Sequence, residues 1–249
     1  MKKLAIIFGL SLLFTFTAYA QKSPTETVVK FYRALKDKKY VEGFHVSVYR
    51  GAIEGLSPAE LKELEPDFAR TFSEIPDKID VRGEQINNDT ATVFLKFDGV
   101  EEFQQLTLIR VNNEWLVGDQ EAFAMVKQQG KDFFFNSRIS VNEQETMLTL
   151  SRILSSEIIY SKKYGDIYAS LAELVKLQAL TEEMADGESS GYLFVLTISP
   201  DKKNFSVIAT PKAYGKSGRL SFYVDINGLR AQDLKGSPAS NQSPLYQPK

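Results

Sequence analysis

The sequence of 249 residues contains no cysteine, one histidine and one tryptophan. Without cysteine, the chain has no disulfide, no thiolate nucleophile and no Cys-ligated zinc. The single histidine, His45, excludes a metal site built from several imidazoles. We therefore predict no metal and no other cofactor. The sequence also contains no recognisable catalytic constellation, so we assign no catalytic residues; this favours a protein that is not an enzyme and leaves the enzymatic alternative open.

The chain also lacks a strong excess of charge of either sign. It has 30 basic and 32 acidic residues, which gives a net charge of −2. No basic field is available for phosphate backbones, so we expect no nucleic-acid partner. Hydrophobic residues make up 43% and charged residues 25% of the sequence. That balance is typical of a folded globular chain and excludes a mostly disordered one.

Long apolar runs are missing everywhere except at the start. Two lysines precede an apolar run from Leu4 to Thr17, and small residues follow up to Ala20. This pattern predicts a signal peptide over residues 1–20, cleaved between Ala20 and Gln21. An uncleaved anchor is the alternative, but the run is shorter than the roughly 20 residues that span a bilayer. We predict an exported protein, periplasmic or secreted, without a membrane span after signal removal.

Periodicity divides the remainder into two α+β parts. Apolar residues at helical spacing predict a helix from about Pro24 to Lys36, with two further helices before residue 75. Alternating residues between Ile79 and Val117 predict an antiparallel sheet. A long helix from about Val141 to Tyr164 and strands between Tyr192 and Gln232 form the second part. A glutamate three residues after each of four serines predicts capping boxes at Ser23, Ser57, Ser140 and Ser170.

These patterns predict the domain boundaries. The first domain covers residues 21–122, a connector 123–139, the second domain 140–234 and a disordered tail 235–249. The aromatic run at 133–135 in the connector predicts docking between the two domains. Asn227-Gly228 predicts a type I′ turn in the second domain.

The first half resembles the superfamily of nuclear transport factor 2 and ketosteroid isomerase, in its small secreted bacterial type. The resemblance rests on the helix from Ser23 to Leu35, on Lys38-Lys39-Tyr40 with Gly43-Phe44, and on the hairpin from Leu108 to Val117. It implies a cone-shaped domain in which helices pack on an antiparallel sheet. Domains of this type often enclose a cavity.

The second half resembles the globular head of type IV pilins and of type II secretion pseudopilins. The resemblance rests on the stretches Asn142–Leu150, Ser156–Gly165 and Tyr168–Leu174, with Gly191–Phe194 and Phe222–Gly228 in the sheet. It implies a long helix packed on an antiparallel sheet. The apolar N-terminal helix of a pilin is absent here, since the segment before Asn142 is polar.

The two resemblances lead to two functional hypotheses. The first is a non-enzymatic binding or assembly protein of the bacterial cell envelope, whose partner is an envelope protein or a second copy. The alternative is a protein that binds a small apolar ligand in the first domain, or a cofactor-independent isomerase with His45 or Asp98 as base. Candidate pocket residues are Phe31, Tyr32, His45, Tyr49, Phe72, Phe94, Phe97, Phe103 and Trp115. The competing interpretation is that the aromatic residues only fill the core.

Three short segments partly match chemical motifs, and each is better interpreted as a loop or a turn. Gly187-Glu188-Ser189-Ser190-Gly191 matches a nucleophile elbow, but the sole histidine comes far earlier in the chain, so we interpret the segment as a loop. Gly215-Lys216-Ser217 lacks the first glycine of a phosphate-binding loop and predicts a turn. Asp225 and Asn227 lack the other positions of a calcium loop and indicate a hairpin turn.

Overall fold

The computed structural model describes residues 23–76, 78–98 and 101–247. The predicted signal peptide, with Ala20 and Gln21 at its cleavage point, lies outside the described residues. The described chain divides into two compact units. Each unit combines helices with an antiparallel sheet, which confirms the α+β class.

The two units do not coincide with the predicted domains. The first unit contains the chain up to Val48 and residues 75–120, and the second contains residues 49–74 and the chain from Glu121 onward. The sequence interpretation had placed residues 49–74 in the first domain. Their helical periodicity does not reveal which core they join, so sequence order was the only guide.

The first unit begins with helices α1 (Pro24–Lys36) and α2 (Tyr40–Phe44). Ser23 Oγ accepts the backbone N–H of Glu26 at 3.1 Å, and Glu26 Oε2 accepts the N–H of Ser23 at 3.0 Å. This reciprocal pair satisfies two donors that a helix start leaves without a partner. The predicted start and end of α1 are both confirmed.

Four strands form the sheet of the first unit in sequential order: β1 (Ile79–Asn87), β2 (Thr90–Phe97), β3 (Gln104–Val111) and β4 (Glu114–Val117). Asn112 and Asn113 both have positive φ in the two-residue β3–β4 turn, as the sequence predicts. On β2, Ala91, Val93 and Leu95 are buried. The alternating pattern therefore turns one face of β2 toward the core.

The second unit contains most of the helical residues of the chain. Its helices are α3 (Arg50–Ile53), α4 (Pro58–Thr71), α5 (Gln120–Gln129), α6 (Phe133–Tyr164) and α7 (Leu171–Lys176), with short 3₁₀ turns at Gly130–Asp132 and Glu182–Asp186. Ser57 caps α4 and Ser170 caps α7 through the predicted boxes. Gly165, with φ of 82°, ends α6 in the left-handed conformation that glycine adopts without strain.

Most of the predicted connector is helical, because α5 and the start of α6 occupy residues 123–139. Since α6 already begins at Phe133, Ser140 does not cap a helix and the predicted box there is wrong. Phe134 instead lies edge-on to Phe68, with ring centroids 5.0 Å apart, and Phe133 lies 5.4 Å from Tyr49. All four rings belong to the second unit, and the interdomain role of residues 133–135 stays a prediction.

Five strands form the sheet of the second unit, again in sequential order: β5 (Glu188–Ser189), β6 (Tyr192–Ile198), β7 (Phe205–Pro211), β8 (Leu220–Asp225) and β9 (Gly228–Asp233). Leu150 and Ile153 of α6 are fully buried in one cluster with Tyr192, Val207 and Phe222. This cluster is the core of the second unit.

The β8–β9 turn differs from the predicted one. Asp225 pairs with Gly228, so Ile226 and Asn227 are the turn residues, and neither has positive φ. Asp225 Oδ1 accepts the N–H of Asn227 at 2.8 Å. Gly228 takes the positive φ, 124°, as the first residue of β9. The local Asp–Asn bond therefore selects a different two-residue turn from the type I′ turn.

The segment after Lys235 is packed against the sheet, and the prediction of a disordered tail is wrong for residues 235–247. The N–H of Ala231 donates to the carbonyl of Pro244 at 3.1 Å, and the N–H of Tyr246 donates to Leu229 at 2.9 Å. Arg230 Nη1 donates to Ser243 O at 2.9 Å. These bonds satisfy hydrogen-bonding groups on the outer edge of β9. They hold the segment in place although its polar composition is typical of a disordered tail.

Among the described residues, no helix combines the length and apolar character that a membrane crossing requires.

Candidate functional site

Three of the predicted pocket residues come together in the first unit. The rings of Phe31 and Tyr32 are 5.6 Å apart and edge-to-face, and the ring of Phe97 is 5.6 Å from Tyr32. Phe31 is buried, whereas Tyr32 and Phe97 are half-buried. Burial raises the pKa of the Tyr32 hydroxyl, so it stays protonated at neutral pH.

Trp115 and His45 lie on other elements of the first unit, on β4 and at the end of α2. Trp115 is buried on β4, and the guanidinium carbon of Arg110 lies 5.3 Å from the centre of its ring. Arg110 is also bonded to Asp89 at 2.8 Å. His45 is half-buried at the end of α2. Trp115 therefore belongs to the packed sheet, with a cation against its ring.

Two of the remaining candidates do not face the core of the first unit. Phe94 alternates with Val93 and Leu95 and lies on the opposite face of β2 from the buried residues. Phe103 is 58% exposed before β3. Tyr49 and Phe72 belong to the second unit, and their place in a pocket stays a prediction.

An open groove of about 750 Å³ lies along α1 in the first unit. Of the predicted pocket residues, Tyr32 lines this groove. Five of its nine lining residues carry charge, namely Arg33, Lys36, Asp37, Lys78 and Asp80. Asp80 is paired with Arg82 at 2.5 Å. A groove with this lining favours a charged or polar ligand over the small apolar ligand that the sequence predicts.

The second unit contains a smaller groove of about 370 Å³, built from the end of its sheet. Tyr168, Phe205 and Tyr223 supply aromatic rings, and the remaining residues are Thr197, Ser199, Lys203, Asn204, Ser206, Asp225, Ile226 and Asn227. One lysine and one aspartate balance, so the groove carries no net formal charge. Its volume falls within the range of small-molecule sites.

Local hydrogen bonds fasten both loops that border this groove. In the β6–β7 turn, Ser199 Oγ accepts the N–H of Asn204 at 2.9 Å and donates to Asp201 at 2.5 Å. The N–H of Tyr168 donates to Lys202 O at 3.0 Å, which holds the α6–α7 loop against that turn. We define this site, with the rings of Tyr168 and Tyr223 and the loops around them, as the sheet-end groove.

The rings of the sheet-end groove are held by their neighbours. Tyr168 packs on the buried ring of Phe205, with centroids 4.6 Å apart. The hydroxyl of Tyr223 donates to Asp225 Oδ2 at 3.3 Å. Burial and the neighbouring Asp225 carboxylate raise the pKa of the Tyr223 hydroxyl. It is therefore a neutral hydrogen-bond donor across the physiological range.

A buried carboxyl, Glu157, lies on α6 within the same unit. It is 0% exposed, and Oε2 accepts the N–H of Ala169 at 2.9 Å. Among the residues that the structure describes, Oε1 has no hydrogen-bond partner. Burial raises its pKa to about 7, the Ala169 hydrogen bond opposes that rise, and the charge of Glu173 adds to it. Glu157 thus titrates near neutral pH, although it does not line the groove.

The short chemical motifs have structural roles. Ser190 Oγ lies 3.4 Å from Glu145, and the sole histidine belongs to the first unit. Lys216 is bonded to Glu63 at 2.6 Å. Ser217 accepts the N–H of Ala213 at 3.0 Å within the predicted turn. Within the ranges that the structure covers, no three acidic or imidazole side chains cluster as metal ligands.

Sequence reasoning missed the sheet-end groove and Glu157. The groove residues come from three separate turns and from the strand ends beside them, and of these the sequence motifs singled out only Asp225 and Asn227, as a hairpin turn. Glu157 had a visible signal: it follows Leu150 by seven residues and Ile153 by four, which places a carboxylate in the apolar stripe of α6.

No family model matches the sequence, and no curated protein matches it. A search of solved structures finds similarity to the crystal structure of a protein named as an NTF2-like transpeptidase from Campylobacter jejuni. The identity is 20% and the TM-score 0.26, over 38% of this chain and 97% of that one.

Proposed function

We propose that this chain is an exported, non-enzymatic binding protein of the bacterial cell envelope and that the sheet-end groove is its binding site. The observation that supports the proposal is the convergence of aromatic rings with hydroxyl and amide groups in a groove of ligand size. The fastened loops add support, because loops that are already ordered lose little entropy on binding. Export follows from the predicted signal peptide over residues 1–20.

The side chains of the groove favour binding over catalysis. A hydrolytic or isomerising site needs an acid and a base within reach of the same bond. The groove has one carboxylate, Asp225, and its oxygens already accept from Asn227 and Tyr223. Lys203 is exposed and its Nζ lies 3.4 Å from Gly165 O. Asp225 is bonded to Tyr223, a phenol that stays protonated at neutral pH, and among the lining residues no carboxylate is paired with Lys203.

The two family resemblances remain part of the proposal. We infer a nuclear transport factor 2-like first domain from the quoted motifs and from α1 packed on a four-stranded meander. We infer a pilin-like second domain from its motifs and from the long α6 with the β5–β9 meander. Under this proposal the chain has two domains, and the second one binds.

Envelope binding can be tested by co-sedimentation of the purified full-length exported chain with a washed envelope fraction of membranes and cell wall. We expect the wild-type chain to sediment with the fraction and Tyr223→Ala to be depleted at least about tenfold. Tyr214→Ala is the matched control, since Tyr214 is an exposed tyrosine of the same unit outside the groove. A wild-type chain that stays in the supernatant would overturn the proposal.

The alternative function, binding of a small ligand in the first unit or an isomerase-like activity there, keeps one supporting observation. The groove along α1 is larger than the sheet-end groove and borders Tyr32. Its charged lining favours a polar ligand. If Tyr32→Ala rather than Tyr223→Ala abolished co-sedimentation, this alternative would replace the leading proposal.

A further inference from the structure

The lining of the sheet-end groove restricts the chemical class of its ligand. Its single lysine and single aspartate cancel, so an anion or a cation finds no excess of the opposite charge. Hydroxyl and amide side chains make up most of its polar groups, and these both donate and accept hydrogen bonds. A ligand that matches them must present many neutral hydroxyl or amide groups.

The aromatic residues add a second requirement. Tyr168 and Tyr223 are half-buried, so part of each ring is open to the groove, and Tyr168 is backed by Phe205. An aromatic ring with a polar edge contacts molecules that have an apolar face and a polar rim. A pyranose ring has this construction, with C–H groups on its faces and hydroxyl groups at its edge.

Asp225 and Asn227 supply planar polar groups at the hairpin tip. Asp225 Oδ2 has only long contacts, 3.3 Å to the Tyr223 hydroxyl and 3.4 Å to Asn227 Nδ2. Bonds of that length are weak, so this oxygen retains capacity for a shorter bond from a ligand hydroxyl. Asn227 is exposed and its amide can donate and accept at once.

We propose that the sheet-end groove binds one or two pyranose units of a neutral oligosaccharide, with the sugar faces on Tyr168 and Tyr223 and its hydroxyls on the hairpin tip. The inference rests on the proposed function, because it names the ligand of the same groove. It restricts that ligand to uncharged sugars. A volume of about 370 Å³ accommodates a ligand of that size.

The test is isothermal titration of the full-length exported chain with two neutral probes, N,N′,N″-triacetylchitotriose and maltotriose, and with trigalacturonate as the acidic probe of equal length. We expect at least one neutral trisaccharide to bind and trigalacturonate to bind at least about tenfold more weakly. Tyr223→Ala and Asn227→Ala should each weaken the neutral sugar about tenfold or more. Tyr214→Ala should leave its affinity unchanged.

Two variants keep the test independent of folding. Asn227→Ala changes an exposed side chain at the hairpin tip, so a loss of binding in this variant at an unchanged melting temperature cannot come from unfolding. Tyr223→Phe keeps the ring and removes the hydroxyl, and it should retain more binding than Tyr223→Ala.

Each contrary outcome has a distinct meaning. Absence of binding to both neutral sugars, or preference for trigalacturonate, overturns the neutral-sugar inference, and the proposed function then stands or falls by co-sedimentation alone. Neutral-sugar binding that survives Tyr223→Ala and Asn227→Ala overturns the location. A chain that neither sediments with the envelope nor binds sugars overturns the proposed function as well.

Discussion

The carboxylates that fasten the helix start of the first unit lie at the surface, whereas the second unit contains a fully buried carboxyl besides its exposed caps. At the start of α1, Glu84 accepts the N–H and the hydroxyl of Thr25 at 2.9 and 2.7 Å in an exposed position. In the second unit, Glu157 is fully buried. The buried side-chain atoms without a hydrogen-bond partner among the described residues, in Thr146, Glu157, Ser221 and Arg230, all lie there.

The difference shows that different interactions contribute to the free energy of folding in the two units. The first unit depends on apolar packing with caps at the surface. Enclosed polar atoms without partners carry a desolvation cost, which makes the second unit sensitive to protonation and to polar substitution. Five substitutions test this contrast, from the largest expected effect to the smallest.

Trp115→Ala should produce the largest change. The indole is buried on β4, and removing a buried aromatic side chain costs about 3–5 kcal/mol. If the two units unfold separately, hydrogen exchange should accelerate in β1–β4 while the amides of β6–β9 keep their protection. Equal loss of protection in both sheets would show that the units unfold together.

Glu157→Gln should stabilise the second unit at neutral pH. Because the folded pKa, about 7, exceeds the unfolded value, the contribution of the protonated carboxyl is fully present below about pH 4.3 and is lost as pH rises through about 7. The variant should gain about 3 kcal/mol at most at pH 8 and about nothing at pH 4. Denaturant titrations at the two pH values measure the gain.

The control for that prediction is Glu173→Gln, which removes the neighbouring carboxylate that caps α7 at Ser170. It should destabilise the unit at pH 8 instead of stabilising it. A gain for Glu157→Gln that is the same at both pH values would contradict a titrating buried carboxyl.

Glu143→Ala should have an intermediate effect. Glu143 Oε1 accepts the backbone N–H groups of Arg219 and Leu220 at 2.8 and 3.0 Å, which ties α6 to the start of β8. Removing the acceptor leaves two donors without their partner, at a cost of about 1–3 kcal/mol. Glu145→Ala, an exposed glutamate on the same helix, is the control. Equal midpoints of urea unfolding for the two variants would refute this role.

Ser23→Ala and Ser57→Ala should have the smallest effects. Each serine caps a helix through its hydroxyl, and loss of such a cap costs about 1 kcal/mol. Ser23 reports on the first unit and Ser57 on the second, so the pair compares the same local change in both. Substitution by Asp should restore most of the loss in thermal melts, and failure of that rescue would argue against capping.

Local features of the fold were predictable from sequence. The boxes at Ser23, Ser57 and Ser170 involve residues three apart, so their geometry depends on nothing distant. The box at Ser140 failed because α6 starts seven residues earlier. Glu143 pairs instead with residues 76 and 77 positions later, a contact that no local pattern encodes.

The candidate site was predictable only in part. Alternation along β2 already separates Phe94 from Phe97, so the sequence contained the reason why the two cannot share one wall. The sheet-end groove depends on three turns that sequence order keeps apart, at Tyr168, Ser199 and Asp225. The groove exists because the meander brings those turns to one end of the sheet. Patterns in a single sequence do not predict which turns meet at that end.

The most direct test of the central claim compares the two grooves in one binding measurement. Envelope co-sedimentation of the full-length exported chain should be lost in Tyr223→Ala and retained in Tyr32→Ala, with melting curves showing both variants folded. That result would assign binding to the sheet-end groove of the second unit. Retention by folded Tyr223→Ala, or loss in folded Tyr32→Ala alone, would contradict the account.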